Sequence, residues 1–233
     1  MITATQSPPQ TKGNIETPVG TTLDYDAPVR PVSPRGTPVW RLAESYPPQG
    51  AWDDADYFAL DVEGERIELV DGCLEFLTMP IRRHESLAVK LFKKLDRLLG
   101  EDNVYPSGYK LQIRNRVPRR RNDYRQPDII ASIDGRGFGP RFATAATLVV
   151  EILSHEKADH ERDLVEKRRD YAEAGVLEYW VVDPEAKTVL LLRLDGEAYA
   201  EVGTIGPGQT VVSEAVAGFE VDVTELFDTP AAS

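Results

Sequence analysis

Apolar positions along the chain change period several times, and each change predicts an element. In "IRRHESLAVKLFKKLDRLLG", Leu87, Ala88, Leu91, Leu95 and Leu98 recur every three or four residues, the spacing of one helical face, and Gly100 supplies the stop. His84 lies three residues before Leu87 and four before Ala88, so it shares that buried seam at the first turn. Upstream, "AWDDADYFAL" predicts a short helix capped by Asp53 or Asp54. "RIELVDGCLEFLT" predicts two strands joined tightly at Asp71-Gly72. "VYPSGYKLQIRN" and "PDIIASID" read as two strands around an arginine-rich loop. "ATLVVEILS" is the next strand, followed by a helix from about Asp159 to Ala174 that Gly175 ends. "EYWVVD", "TVLLLRLDG" and "AYAEVGTI" predict a closing meander, and the remaining segment adds a last strand and a short helix. Strands outnumber helices, and two long helices stand between groups of strands, so the class is α+β or mixed α/β.

One position breaks the apolar run of Leu148 to Leu153, and it is a carboxylate, Glu151. A charge in a core strand is costly to desolvate unless something pairs with it. Side chains alternate along a strand, so Val149, Glu151 and Leu153 share a face. Asp128 opens the preceding strand directly after Pro127, a place where proline is tolerated. Two such acids on neighbouring strands would converge and repel, and a divalent cation relieves both the repulsion and the burial. Mg²⁺ suits the pair because it uses one or two carboxylates and fills its remaining positions with water or phosphate oxygens.

A lysine beside such a pair can hold an attacking water or offset charge growing on a phosphate. The pattern Pro-Asp, then Glu-x-Lys, fails at its last letter here, because Leu153 stands two residues after Glu151. The following helix offers a substitute. At 100° per residue its apolar face is Leu164, Val165, Tyr171 and Ala172, with Lys167 on the flank and Asp163 one turn earlier. A lysine there can lay its stem along the sheet and deliver its ammonium to the acids. Plainer roles are open for each residue. Lys167 could simply bridge to Asp163, Glu151 could be a core acid bonded to backbone or to Tyr171, and Asp128 could be a turn acid.

Composition narrows the field. The 233 residues suffice for one domain with a real core, and 41% of them are hydrophobic. Nine of the 17 prolines fall in the first 50 residues, so residues 1–48 read as a disordered or extended tail and residues 49–228 as the folded domain. No apolar run approaches the roughly 20 residues of a membrane span, and no apolar signal core opens the chain, which leads us to expect a cytoplasmic protein. The single cysteine, Cys73, excludes an internal disulfide and a cysteine-rich zinc site. His155 and His160 are five residues apart, which does not place them on one helical face as a zinc pair. A net charge of -12 argues against coating nucleic acid through bulk charge. "RNRVPRRRNDYR", residues 114–125, departs from that balance with six arginines against Asp123. It reads either as a solvated hairpin tip or as a loop whose Arg119, Arg120, Arg121 and Arg125 contact backbone phosphates.

"IELVDG", the helical His84, "QPDII", "LVVEILS", the series Asp163, Lys167, Tyr171, and "GVLEYWVVDP" together resemble the Uma2 family. That family is part of the PD-(D/E)XK restriction-endonuclease-like superfamily, and the resemblance runs from about Trp52 to beyond Arg193. It implies a central mixed sheet flanked by helices, with an added N-terminal hairpin and a C-terminal meander. It also implies a Mg²⁺-dependent endonuclease acting on DNA, with Mn²⁺ as a substitute ion. Asp128 and Glu151 match the metal-binding acids of the family, and Lys167 matches a lysine that has moved from the strand to the next helix. Glu68 of the first hairpin, His84 and Tyr171 are implied as accessory residues. A homodimer is expected by analogy, since symmetric duplex cutting needs two sites. The alternative is a catalytically inactive nucleic-acid-binding or assembly module that keeps the fold.

Overall fold

The structure is a computed structural model that describes residues 46–60, 66–113, 122–154 and 160–228. Arg119, Arg120, Arg121, His155 and nearly all of the expected N-terminal tail lie outside these residues. Among the described residues the first elements are α1 (Asp54–Ala59), the hairpin β1 (Ile67–Val70) and β2 (Cys73–Phe76), and helix α2 (Arg82–Leu99). Next come β3 (Val104–Pro106), β4 (Lys110–Ile113), β5 (Asp123–Arg125), β6 (Ile129–Ala131), β7 (Phe142–Ala143) and β8 (Leu148–Ile152). A π-helical turn, Arg162–Glu166, leads into α3 (Lys167–Glu173). The last described elements are β9 (Glu178–Asp183), β10 (Thr188–Asp195), β11 (Ala198–Ile205), β12 (Thr210–Val212), β13 (Glu220–Asp222) and α4 (Val223–Phe227).

Local chemistry explains most of the boundaries. Asp53 caps α1 by accepting a hydrogen bond from the Asp56 N–H. Asp71 and Gly72 both take positive φ, 49° and 75°, as a two-residue hairpin turn requires. Gly100 ends α2 at φ 89°.

Six strands form the main sheet in the order β11-β10-β9-β8-β6-β3. Here β8 runs parallel to β9 and antiparallel to β6. The β9-β10-β11 meander is therefore part of the central sheet, not an addition to it. One face packs on α2 through Leu87, Leu91 and Leu95 against Val150, Ile152 and Trp180. The other face, with Val149 and Leu153, meets Tyr171 and Ala172 of α3 and Leu111 and Ile113 of β4. A second sheet, ordered β2-β1-β5-β4-β7, brings the N-terminal hairpin beside that layer.

Three expectations need correction. Strand β5 was not anticipated, because "DYR" carries two charges and no apolar alternation, yet it pairs with both β4 and β1. Leu98 is exposed, since the last turn of α2 reaches the margin of the core and Leu99 packs there instead. Val165 is 61% exposed although a 100° plot places it on the apolar face. The π-turn winds wider than an α-helix and rotates Val165 outward.

Because Leu91 and Leu95 seat α2 on the sheet, Leu95→Ala is expected to lower unfolding free energy by about 2–5 kcal/mol, measured by urea denaturation.

Candidate active site

Register brings the two acids together. Ile129 of β6 pairs with Val150 of β8, so Asp128, one residue before β6, stands opposite Glu151. The Asp128 Oδ2 accepts the Ile152 N–H at 2.8 Å, which fixes its carboxylate against β8. Both acids are almost wholly buried and line a cleft of about 130 Å³ with Arg66, His84, Asp163 and Lys167.

Cations surround the pair. Arg66 Nη2 lies 2.9 Å from Asp128 Oδ1, and His84 Nε2 lies 3.0 Å from Oδ2. Lys167 Nζ donates to Glu151 Oε1 at 2.8 Å and sits 3.2 Å from Asp163 Oδ1 and 3.5 Å from Glu68 Oε1. The Tyr171 hydroxyl donates to the same Glu151 Oε1 at 2.6 Å, while Glu151 Oε2 accepts no hydrogen bond from the described residues. Of the side chains expected from sequence, Asp128, His84, Glu151 and Lys167 thus line one cleft, and Glu68 and Tyr171 join it from behind through Lys167 and Glu151. The plainer partners, Tyr171 for Glu151 and Asp163 for Lys167, are present in the same group.

Electrostatics distinguishes the two acids. Burial pushes the Glu151 carboxyl up to about 8, with repulsion from Asp128 and Asp163 acting against the pull of Lys167. Burial would raise Asp128 too, but the His84 hydrogen bond and charge, with Arg66 and the Ile152 N–H, outweigh it and lower the group. Burial disfavours the His84 cation, yet Asp128 overrides this and raises the imidazole above its usual range. Lys167 stays cationic, because three carboxylates more than offset its burial.

A hard divalent cation fits this donor set. Glu151 keeps one uncommitted oxygen, its ionised form is opposed by neighbouring negative charge, and Asp128 stands across from it. Among the described residues no three His, Cys, Asp or Glu side chains form a ready metal cage.

Arg125 requires correction. It was grouped with the exposed arginine loop, but it belongs to β5 and is fully buried. Its guanidinium donates to Asp170 at 2.7 and 2.9 Å and to Glu68 at 2.8 Å, which leaves it no access to a phosphate. Glu68 also accepts the Gln126 N–H. Burial would raise the Glu68 carboxyl, but Lys167, Arg125 and that N–H hold it at about 2. Sequence reasoning also missed Arg66 and Arg162 as cleft residues. Two-residue alternation from Glu68 would have found Arg66. Arg162 carries no comparable signal, because the π-turn is not legible in the sequence.

The titration of Glu151 has a measurable consequence. Between 4.5 and about 8 the folded protein holds a proton that the unfolded chain has released, so stability falls as pH rises through that window. The Glu68 contribution is complete above 4.5 and is lost only in acid. That of His84 declines above 6.5 whether or not Glu151 can ionise. In urea denaturation with chelator present, wild type should lose more stability from pH 5 to pH 8 than Glu151→Gln. Equal losses would contradict the shift.

Comparison with known proteins bears on the family and the fold. No curated protein matches the sequence. A solved structure described as "a putative nuclease belonging to DUF820", from Anabaena variabilis, shares the fold at a TM-score of 0.58 and 16% identity. The match covers 78% of this chain and 98% of that one. The fold is therefore restriction-endonuclease-like. The model of the Uma2 family, described as "Putative restriction endonuclease", matches residues 54–224. Those residues include both acids, Lys167 and both sheets, and the chain belongs to the Uma2 family.

Proposed function

We propose that the protein is a divalent-metal-dependent endonuclease that hydrolyses phosphodiester bonds of DNA. The observation that carries this reading is the placement of Asp128 and Glu151 on adjacent strands at one cleft, with the Lys167 ammonium 2.8 Å from Glu151. Asp128 and Glu151 would hold the ion, Mg²⁺ or Mn²⁺ in its place. When bound, it polarises a phosphoryl oxygen and lowers the pKa of water.

The chain's own residues supply the rest. Lys167, kept cationic by Glu151, Asp163 and Glu68, is a donor rather than a base. It orients an attacking water and offsets charge growing on the phosphate oxygens. His84 is held by Asp128 through Nε2, and its buried Nδ1 has no hydrogen-bond partner among the described residues. In the cationic form that Asp128 favours, His84 offers this second N–H to an anionic ligand. Water adds to phosphorus as the bond to the leaving oxygen breaks, leaving a phosphate monoester and a hydroxyl. Arg119, Arg120 and Arg121 are proposed to contact backbone phosphates independently of base sequence. Two-strand cutting calls for two sites, so we propose a homodimer. We propose that it acts in the cytoplasm. Among the described residues no helix is long and apolar enough to cross a membrane.

One observation favours a second reading, a non-catalytic nucleic-acid-binding or assembly module. Asp128 is already satisfied by Arg66, His84 and the Ile152 N–H, as a purely structural acid would be.

The readings separate in a cleavage assay on supercoiled DNA with Mg²⁺ or Mn²⁺. Asp128→Asn, Glu151→Gln and Lys167→Ala should each lower cleavage by about a hundredfold or more. Lys167→Ala should also cost about 3–5 kcal/mol of stability, since it strands buried carboxylates, so it is assayed where circular dichroism shows it folded. Undiminished metal-dependent cleavage in all three variants would rule the nuclease reading out.

A further inference from the structure

We infer that Arg66 is an internal competitor of the metal ion, a built-in counter-cation that holds Asp128 until a divalent ion displaces it. This rests on the reading of Asp128 and Glu151 as the ion-binding pair and adds a residue that controls how tightly they load.

Three donors converge on Asp128, and they differ in how easily they leave. The Ile152 N–H belongs to the β8 backbone and cannot withdraw without breaking the sheet. His84 sits on α2 in the buried seam, with its side chain 8% exposed. Arg66 is the most accessible of the three, with its side chain 15% exposed. Its buried Nε has no hydrogen-bond partner among the described residues, so there the guanidinium is incompletely satisfied. Moving toward solvent forfeits one bond, Nη2 to Asp128 Oδ1, and restores hydration to the rest. The backbone need not follow. The Arg66 carbonyl is tied to the Leu77 N–H across the hairpin, so the side chain can swing while its anchor stays.

Ion entry reverses the local charge balance. With no cation between them, Asp128 and Glu151 are held separately, one by Arg66 and His84 and the other by contact with Lys167. A divalent charge bound to both carboxylates makes a guanidinium in contact with Asp128 repulsive, while Lys167 stays held by Asp163 and Glu68. Arg66 is thus the cation that leaves. It stays at the lip of the cleft, where its planar fork of donors suits a phosphate brought by substrate.

Calorimetric titration of the full chain with Mn²⁺, at fixed pH and ionic strength, tests this. Arg66→Ala should bind Mn²⁺ about tenfold tighter than wild type. Arg162→Ala removes an equal charge from the same cleft without removing a bond to Asp128, and should change affinity by less than about threefold. Arg66→Gln, which keeps much of the side chain's bulk, should behave as Arg66→Ala and guards against a folding defect in the latter. If wild type binds the ion and Asp128→Asn does not, but both Arg66 variants bind no tighter than wild type, the competitor role is overturned and the ion site stands. If no variant binds Mn²⁺ at millimolar concentration, even with Arg66 gone, the competitor role falls together with the ion site.

Discussion

A carboxylate between two apolar strands must be neutralised, and the contact between Glu151 and Lys167 is the interaction on which the site depends. The 2.8 Å pair joins the middle of β8 to the first residue of α3, with both side chains buried. Breaking such a pair by removing one partner typically costs about 3–5 kcal/mol, because the other charge is left without compensation. It therefore anchors the helix as well as equipping the cleft. The network continues through Glu68 to Arg125 and on to Asp170, linking β1, β5 and α3 by charge instead of apolar packing. Buried ion pairs are poor sources of net stability but demanding in geometry, and here they hold three elements in one register.

The fold makes that geometry available in two steps. Antiparallel pairing of β6 with β8 sets Asp128 opposite Glu151, and Pro127 leaves the aspartate at the strand's mouth. The π-turn Arg162–Glu166 then brings Asp163 and Lys167 inward while Val165 turns out to solvent. A regular helix would have kept Val165 on the apolar face. π-Turns are rare and recur at functional sites, and this one sits beside the cleft. Where the strand carries Leu153, which fills the core, the helix brings the Lys167 ammonium to Glu151.

Much of this was legible in the sequence because it depends on short-range pattern. The α2 seam, the Asp71-Gly72 turn and the acid isolated in "LVVEILS" each follow from period or turn chemistry within a few residues. His84 was placed correctly by the same reasoning. Legibility failed where long-range pairing decides. Strand β5 exists because β1 and β4 lie on either side of it, and its own residues do not announce a strand. Arg125 consequently looked like part of a solvated basic loop, when its charge serves Glu68 and Asp170 inside the protein. Arg66 shares the alternation of Glu68, so its face was legible, but its partner Asp128, 62 residues away, was not.

Asp128 and Glu151 are proposed to share a divalent cation. Anomalous scattering from crystals grown with Mn²⁺ tests it most directly. The account predicts an ion within about 2.0–2.3 Å of an oxygen from each carboxylate, with waters completing its shell. Crystals saturated with Mn²⁺ that show no ion there, with Arg66 still on Asp128 and Lys167 still on Glu151, would contradict it.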